Sequence, residues 1–201
     1  MSRNKELNQK IKDERKEQIL SNALILFATR GLSATKITDI SSASGISQGL
    51  IYHYYKSKEE IFIELIKYAF QRMNIACMEL EKLSLPPREK LIMAIENLVH
   101  GLDSNEATSY YHLIILQANV SEAIPGDAKE IINKESSLPY EVIERIFIEG
   151  QKDGSVKDFD ARDLAVVFWT TIKGLAFNKA AYGNDFKTPD INILLNMFLK
   201  Q

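Results

Sequence analysis

Apolar residues recur at three- and four-residue intervals along nearly the whole chain, and this spacing restricts the fold more than any other feature. Within residues 13–30, one face of a helix would carry Ile19, Ala23, Leu26 and Phe27. No two segments show the two-residue alternation of paired, half-buried strands. A chain of 201 residues, 45 % of them hydrophobic, can bury a sizeable core. The pattern therefore predicts an all-α protein of nine or ten helices.

Charge is distributed unevenly between the two ends of the chain. Residues 1–60 hold ten Lys and Arg against seven Asp and Glu, whereas residues 61–201 hold fifteen against twenty. A mildly basic N-terminal part on an acidic body suits a protein that touches a polyanion with one end only. An ordinary solvated surface explains the same numbers equally well.

Signals for export or membrane insertion are missing from the sequence. Residues 1–18 are almost all polar, no run reaches the ~18 apolar residues of a membrane span, and the single Cys77 suits a reducing compartment. We therefore expect a cytoplasmic protein without a membrane partner.

A sharp turn near residue 45 separates two short helices. Gly45 ends the first, around residues 38–44, and Ser47 can cap the second, from Gln48 to about Tyr54. Ser57 and Glu60 then form a capping box that opens a long helix to about residue 83. These proportions are those of a helix-turn-helix, whose second helix enters the major groove of DNA.

The residue types of the second short helix suit that role. Gln48 can pair with adenine through two hydrogen bonds, and Gly49 allows close approach of the backbone. Tyr52 and Tyr54 carry hydroxyls on rigid arms that suit phosphate oxygens, and Lys58 begins the next helix, whose N-terminus favours a phosphate. Leu50, Ile51 and Tyr55 suit a core better than a contact surface, and His53 suits a base contact and solvent equally.

Residues 35–62, "TKITDISSASGISQGLIYHYYKSKEEIF", resemble the DNA-binding signature of TetR-type bacterial repressors, as does "LFATRG" at residues 26–31. The resemblance covers about fifty residues in fixed register. It implies an N-terminal three-helix domain with a helix-turn-helix at 1–56, and a helical effector-binding and dimerisation domain at 57–201. Lys36 stands where the family often has a phosphate-binding Thr, so Thr35 or Lys36 would take that role. Tyr54 replaces a frequent His.

Combining residue types with the resemblance gives one set of DNA contacts. The candidates are Thr35, Lys36, Ser47, Gln48, Gly49, Leu50, Tyr52, His53, Tyr54 and Lys58. The implied function is a ligand-responsive, dimeric repressor that a small, largely apolar effector releases from a palindromic double-stranded operator.

The C-terminal helices carry wide apolar faces. Helices at 161–182 and 189–200 would form a four-helix interface with a second copy of the chain, as the resemblance implies, or would simply close the core of the monomer.

An effector pocket is expected in the C-terminal part, because residues 109–117, "SYYHLIILQ", mix polar and aliphatic side chains. The candidate ligand-binding residues are Met73, Cys77, Tyr110, Tyr111, His112, Gln117, Phe147, Phe168 and Trp169. Each of them also suits a plain core position.

An enzyme and a protein-binding adaptor are the two alternative classes for this sequence. The chain has no metalloprotease, paired-cysteine or phosphate-loop motif, so we expect no enzyme, cofactor or metal site, although His100 and His112 could meet in space. A helical adaptor that binds proteins would explain the apolar C-terminal helices. It would not explain the residues from Gln48 to Lys58.

Overall fold

The computed structural model describes residues 2–201, with side chains from residue 10 onward, and it consists of α-helices joined by short turns. In chain order the helices are α1 (Ser2–Arg30), α2 (Ile37–Ala43), α3 (Gln48–Tyr54), α4 (Lys58–Lys82), α5 (Pro87–Ser104), α6 (Glu106–Val120), α7 (Gly126–Glu135), α8 (Ser137–Lys152), α9 (Ala161–Tyr182) and α10 (Ile191–Phe198), with a short 3-10 turn at Gly183–Asp185. The all-α prediction is confirmed.

Helix boundaries follow the local signals in most places. The oxygens of Ser47, Ser57, Asn105 and Asp160 each accept a backbone N–H at the start of a helix. Helix α1 is longer than its periodicity indicated, because it begins at Ser2 rather than near Asp13. Residues 10–17 are nearly all polar and exposed, so they carry no apolar pattern that could reveal a helix.

The first core lies between α1 to α3 and the N-terminal half of α4. Phe27 and Phe62 meet edge to face at 5.5 Å between ring centroids, and both are buried. Ile114 of α6 and Ile132 of α7 complete this core from the C-terminal part of the chain. The first core therefore extends across the predicted division at residues 56 and 57.

The second core lies between α5, α8, α9 and α10. Its centre is a cluster of three buried rings, Phe147, Phe168 and Phe198, with centroids 5.3 to 6.4 Å apart. The C-terminus of α10 is hydrogen-bonded to the loop between α8 and α9, where the N–H of Lys157 donates to the carbonyl of Phe198 at 2.9 Å.

Two helices connect the cores: α4 contributes residues to both, and α6 belongs to the first core and packs on α9 of the second. Helix α4 places Leu65 in the first core and Cys77 in the second, and Met73 between them packs against both. Helix α6 packs on both α1 and α9. Within residues 2–201, none of the helices is long and apolar enough to cross a membrane.

Candidate nucleic-acid interface and ligand cavity

The turn between α2 and α3 depends on a glycine. Gly45 has φ of +63°, a conformation that side chains with a Cβ rarely adopt. The N–H of Gly45 donates to the carbonyl of Ser42 at 3.2 Å, and the N–H of Ile46 donates to that of Ser41 at 3.1 Å. Ser47 then caps α3 by accepting the N–H of Leu50 at 3.2 Å.

Helices α2 and α3 are fixed onto α1 by burial and by one long-range hydrogen bond. Ile40 and Ile51 are fully buried against α1 and α4. The amide of Gln18 on α1 donates to the carbonyl of Ser44 in the turn at 2.8 Å. Helix α3 is thus held in place by groups on its buried side.

One face of α3 is open to solvent. Ser47, Gln48, Gly49, Tyr52 and His53 are exposed, and Tyr52 exposes 55 % of its surface. Because these positions are adjacent or one turn apart, they form a continuous surface, which we call the α3 face.

The residues beside the α3 face divide between core and edge. Ile51 and Tyr55 are buried, which confirms the core positions that their apolar character indicated. Leu50 and Tyr54 are half-buried at the edge of the α3 face.

Thr35 is a correction to the sequence-based contacts. Its side chain is fully buried, and its hydroxyl lies 2.8 Å from the carbonyl of Gly31, to which it donates. It stabilises the turn after α1 and cannot reach DNA. Lys36 beside it is exposed and stays a candidate.

Lys58 also differs from its expected role. Its ammonium donates to the carbonyls of Leu32 and Thr35 at 2.7 Å each and to that of Ser33 at 3.2 Å. These three bonds use every proton of the ammonium. Lys58 therefore ties the start of α4 to the turn between α1 and α2, and its side chain has no donor left for a phosphate.

Lys56, two residues before Lys58, was missed by the sequence reasoning. It is exposed, and its backbone N–H donates to the carboxylate of Glu60 at 2.6 Å, so Glu60 reaches back to the residue before Ser57 rather than to Ser57 itself, as the expected capping box required. The signal was available, since a lysine between the short helix and the capping serine lies next to the α3 face.

Comparison with known proteins agrees with this geometry. Residues 19–65 match the family described as bacterial regulatory proteins, tetR family. The HTH-type transcriptional regulator AcrR of Shigella flexneri is 35 % identical over 91 residues, which is 45 % of this chain and 41 % of that protein. Residues 19–65 are therefore a domain of the tetR family, and the chain is similar to regulators of that family. It is a DNA-binding transcriptional regulator.

The likeness continues beyond the DNA-binding residues. The HTH-type transcriptional repressor KstR2 of Mycolicibacterium smegmatis is 29 % identical over 170 residues, covering 79 % of this regulator and 78 % of the relative. The crystal structure of the MbdR regulator from Azoarcus sp. CIB superposes with a TM-score of 0.76 at 21 % identity, covering 91 % of this chain and 94 % of the other. The second likeness concerns the fold alone.

The TetR-family regulator contains a cavity of about 420 Å³ between α4, α5, α6, α8 and α9, which we call the central cavity. This volume lies within the usual range for small-molecule sites. The predicted residues that line it are Met73, Cys77, Tyr111, His112 and Trp169. Trp169 offers only its ring, because its N–H donates to the carbonyl of Pro139 at 3.0 Å.

Four predicted ligand residues lie outside the central cavity. Phe147 and Phe168 are buried in the second core, where they pack against each other and Phe198. Tyr110 packs against the first core. The amide of Gln117 donates to the carbonyl of Ala28 at 2.9 Å, so it joins α6 to α1. The pattern of residues 109–117 could not separate the face toward the cavity from the face toward α1.

Polar residues at the cavity mouth were missed by the sequence reasoning. They are Tyr68, Arg72, Asn97, Asn105 and Thr108. Tyr68 and Arg72 are one helical turn apart on α4, and both are exposed. The signal was a tyrosine and an arginine at four-residue spacing on the helix that follows the DNA-binding residues.

Burial keeps most titratable groups of the central cavity uncharged. Desolvation, and then the charge of Lys173, lower the pKa of His112 to about 4. Desolvation raises the pKa of Cys77 to about 11, with a smaller contribution from Glu81, and desolvation with Tyr68 raises the pKa of Tyr111 to about 12. At neutral pH the lining therefore carries one charged side chain, Arg72, and no acidic residue.

Proposed function

We propose that this TetR-family regulator is a homodimeric repressor that reads a palindromic operator with the α3 face and is released by a small molecule bound in the central cavity. The observation that carries the proposal is the exposed α3 face on a rigidly fixed turn. The repressor KstR2 of M. smegmatis, to which most of the chain is similar, supports the direction of regulation.

DNA readout in this proposal combines base and phosphate contacts. Gln48 at the N-terminus of α3 reads a base edge, and His53, five residues further along the helix, contacts a second base. Tyr52 donates its hydroxyl to a phosphate, and the exposed ammonium groups of Lys36 and Lys56 lie on the two sides of α3 in sequence. Thr35 and Lys58 hold the backbone that carries these groups.

The dimer interface in this proposal uses the outer faces of the C-terminal helices. The inner stripe of α9, with Leu164 and Ile172, is buried in the monomer. The outer side exposes Val166, Val167 and Phe177. Among the described residues, no atom beyond the local backbone of α9 lies within 4 Å of the position that a Cβ on Gly174 would occupy, so a second helix can approach closely there.

Neighbouring helices can extend this interface. On α8, which packs against α9, Ile148 is exposed, and on α10 Ile193 and Met197 are exposed. Replacement of Val166 and Phe177 by Glu should give a folded monomer, measured by sedimentation and circular dichroism. A variant that stays dimeric would place the interface elsewhere.

Signal transfer in this proposal runs along α4, which contributes to both cores, and α6, which packs on α1 and α9. Helix α4 lines the central cavity with Met73 and begins at Lys58, which is tied to the turn before α2. Helix α6 lines it with His112 and is bonded to α1 through Gln117. An effector that prefers a spacing of the two α3 faces other than about one DNA turn, ~34 Å, lowers operator affinity.

A selection of random duplexes on the purified protein at physiological salt tests the function. We expect a palindrome with half-sites spaced for successive major grooves. Gln48→Ala should lose about 1–3 kcal/mol of binding free energy at one base position of each half-site. The control is Gln71→Ala, an exposed glutamine of α4 outside both sites, which should bind like the unmodified protein. Weak, sequence-independent retention would favour the helical adaptor instead.

A further inference from the structure

The central cavity combines a deep apolar part with a single cation near its mouth. Cys77, Ala94 and Trp169 are buried and form the apolar part. Arg72 lines the same cavity and is exposed to solvent. A ligand can therefore bury an apolar portion and keep one polar end close to water.

Arg72 is available to a ligand. Among residues 10–201, no carboxylate lies within 4.0 Å of its guanidinium, and no hydrogen bond ties it to another residue. The residues three and four positions away on α4 are Tyr68, Ala69, Ile75 and Ala76, and none of them is acidic. The arginine thus has donors that are free to bind an anion.

A second arginine of the same bundle, Arg145, is paired with a carboxylate and serves as a comparison for Arg72. Arg145 of α8 donates to both carboxylate oxygens of Glu81, at 2.6 and 3.2 Å. That paired geometry is the one in which arginine binds carboxylates most strongly. Arg72 carries the same guanidinium group, but the residues that line the cavity include no carboxylate to pair with it.

We infer that the effector of this regulator is an amphipathic carboxylate, whose apolar tail lies in the deep part of the central cavity and whose carboxylate binds Arg72. The inference rests on the proposed function only in taking the central cavity as the effector site. A neutral apolar ligand would cover part of the guanidinium without replacing its lost water, and an organic cation would be repelled by it. A carboxylate avoids both penalties.

The other polar groups of the cavity suit the same ligand. His112 stays neutral and can donate or accept a hydrogen bond, and the hydroxyl of Tyr111 keeps its proton. The rings of Tyr68 and Tyr111 lie 5.6 Å apart between centroids beside the mouth, where they can cover the first methylenes of a tail. No lining residue supplies a negative charge for a cationic head group.

The fluorescence of Trp169 provides a direct test, since it is the only tryptophan of the chain and lines the cavity. The probes are straight-chain carboxylates of eight, ten and twelve carbons, with the alcohol and the trimethylammonium compound of each length. We expect at least one carboxylate to bind roughly tenfold or more tightly than its alcohol, because hydrogen bonds to a charged group are worth that much. The trimethylammonium compound should bind least.

Two variants assign the preference to one side chain. Arg72→Gln should abolish the difference between carboxylate and alcohol while the alcohol still binds. Lys67→Gln, which removes an exposed cation of α4 outside the cavity lining, should keep it. Equal affinity for carboxylate and alcohol in the unmodified protein, a preference for the cation, or no binding by any probe would overturn the inference.

Operator release is measured separately with the same probes. A carboxylate that binds through Arg72 without changing operator affinity would leave the ligand class intact and contradict the proposed regulation. A regulator that binds its operator but shows no carboxylate preference at Trp169 would contradict the ligand class alone.

Discussion

The α3 face and the central cavity are built in opposite ways. Every residue of the α3 face comes from one stretch of seven residues, held from behind by Ile51, Gln18 and the turn at Gly45. The central cavity is assembled from five helices, with lining residues that run from Tyr68 to Trp169. The α3 face can therefore be recognised from consecutive residues, whereas the central cavity depends on how helices distant in the chain pack together.

The contrast extends to what surrounds each site. The α3 face is solvated and polar, with its apolar residues on the opposite side of a short helix. The central cavity is apolar, and its polar groups are either neutral by burial or stand at the mouth. In the proposed function, DNA binds a surface that is already formed, whereas a ligand must be desolvated to reach the central cavity.

The two sites would be independent if the two cores unfolded separately. Phe27→Ala in the first core and Phe147→Ala in the second each remove a fully buried ring, and each should cost about 3–5 kcal/mol of unfolding free energy. Because α4 contributes residues to both cores and α6 packs on α1 and α9, we expect one cooperative transition for each variant in denaturant melts followed by circular dichroism.

The matched pair supplies its own control, since both side chains are phenylalanines without exposed surface. A biphasic melt, in which Phe27→Ala unfolds the helices of the first core while the second core persists, would show that the two sites are separable domains after all.

Acid should affect the cavity more than the α3 face. In the unfolded chain His112 titrates near 6.5, and in the folded protein near 4. Between these values the unfolded state binds a proton that the folded state does not, so stability falls as pH falls from 6.5 to 4. At ~1.4 kcal/mol for each pH unit, the contribution of His112 reaches at most about 3 kcal/mol.

His112→Gln removes this titration and keeps a polar side chain. The difference in unfolding free energy between the unmodified protein and the variant should therefore shrink or reverse on acidification from pH 7 to pH 4, measured by urea denaturation. Titration of all other groups cancels in that difference. Parallel stability curves for the two proteins would mean that His112 is solvated in the fold.

Sequence reasoning was strongest where local chemistry decides the structure. The bounds of α3 and the serine caps follow from residues within a few positions of each other. It was wrong for Thr35, because a hydroxyl buried under the turn after α1 looks the same in sequence as one that reaches a phosphate.

The central cavity shows the other limit. On α6, His112 lines the cavity and Gln117 meets α1, and these residues lie five positions apart, about 140° around the helix. That difference depends on where α1 and α9 pack, and these helices are far away in the chain. Arg72 was missed for the same reason, since its lack of a partner is a property of the whole bundle.

Lys58 tests whether a residue beside the α3 face acts through structure or through phosphate contact. Lys58→Met leaves three carbonyls without their shared donor, and we expect a loss of about 2 kcal/mol in unfolding free energy. Operator binding should weaken because the turn before α2 shifts. Its dependence on salt should stay unchanged, because the ammonium makes no phosphate contact.

Lys56→Met is the matched control, because this exposed lysine lies two residues earlier. It should leave stability unchanged and reduce the slope of log affinity against log salt by about 1, measured by fluorescence anisotropy on labelled operator. A reduced slope in Lys58→Met with full stability would restore that ammonium to the phosphate contacts.

The smallest expected effect lies where the two sites are joined. Gln117→Leu removes the hydrogen bond from α6 to the carbonyl of Ala28 on α1, at a cost of about 1 kcal/mol in stability. Ligand binding at Trp169 should persist, because Gln117 does not line the cavity. The coupling free energy between ligand and operator should fall by roughly 0.5–1 kcal/mol, since one of two connections between the sites is lost.

Asn119→Ala provides the comparison for this variant. Its amide donates to the carbonyl of Ile115 at 2.9 Å, within α6 itself, so its removal leaves the contact with α1 in place. The coupling should then match that of the unmodified protein. If Gln117→Leu also keeps full coupling while operator and ligand both bind, the signal travels through α4 alone. The tie between Lys58 and the turn before α2 would then be the only connection that the two sites need.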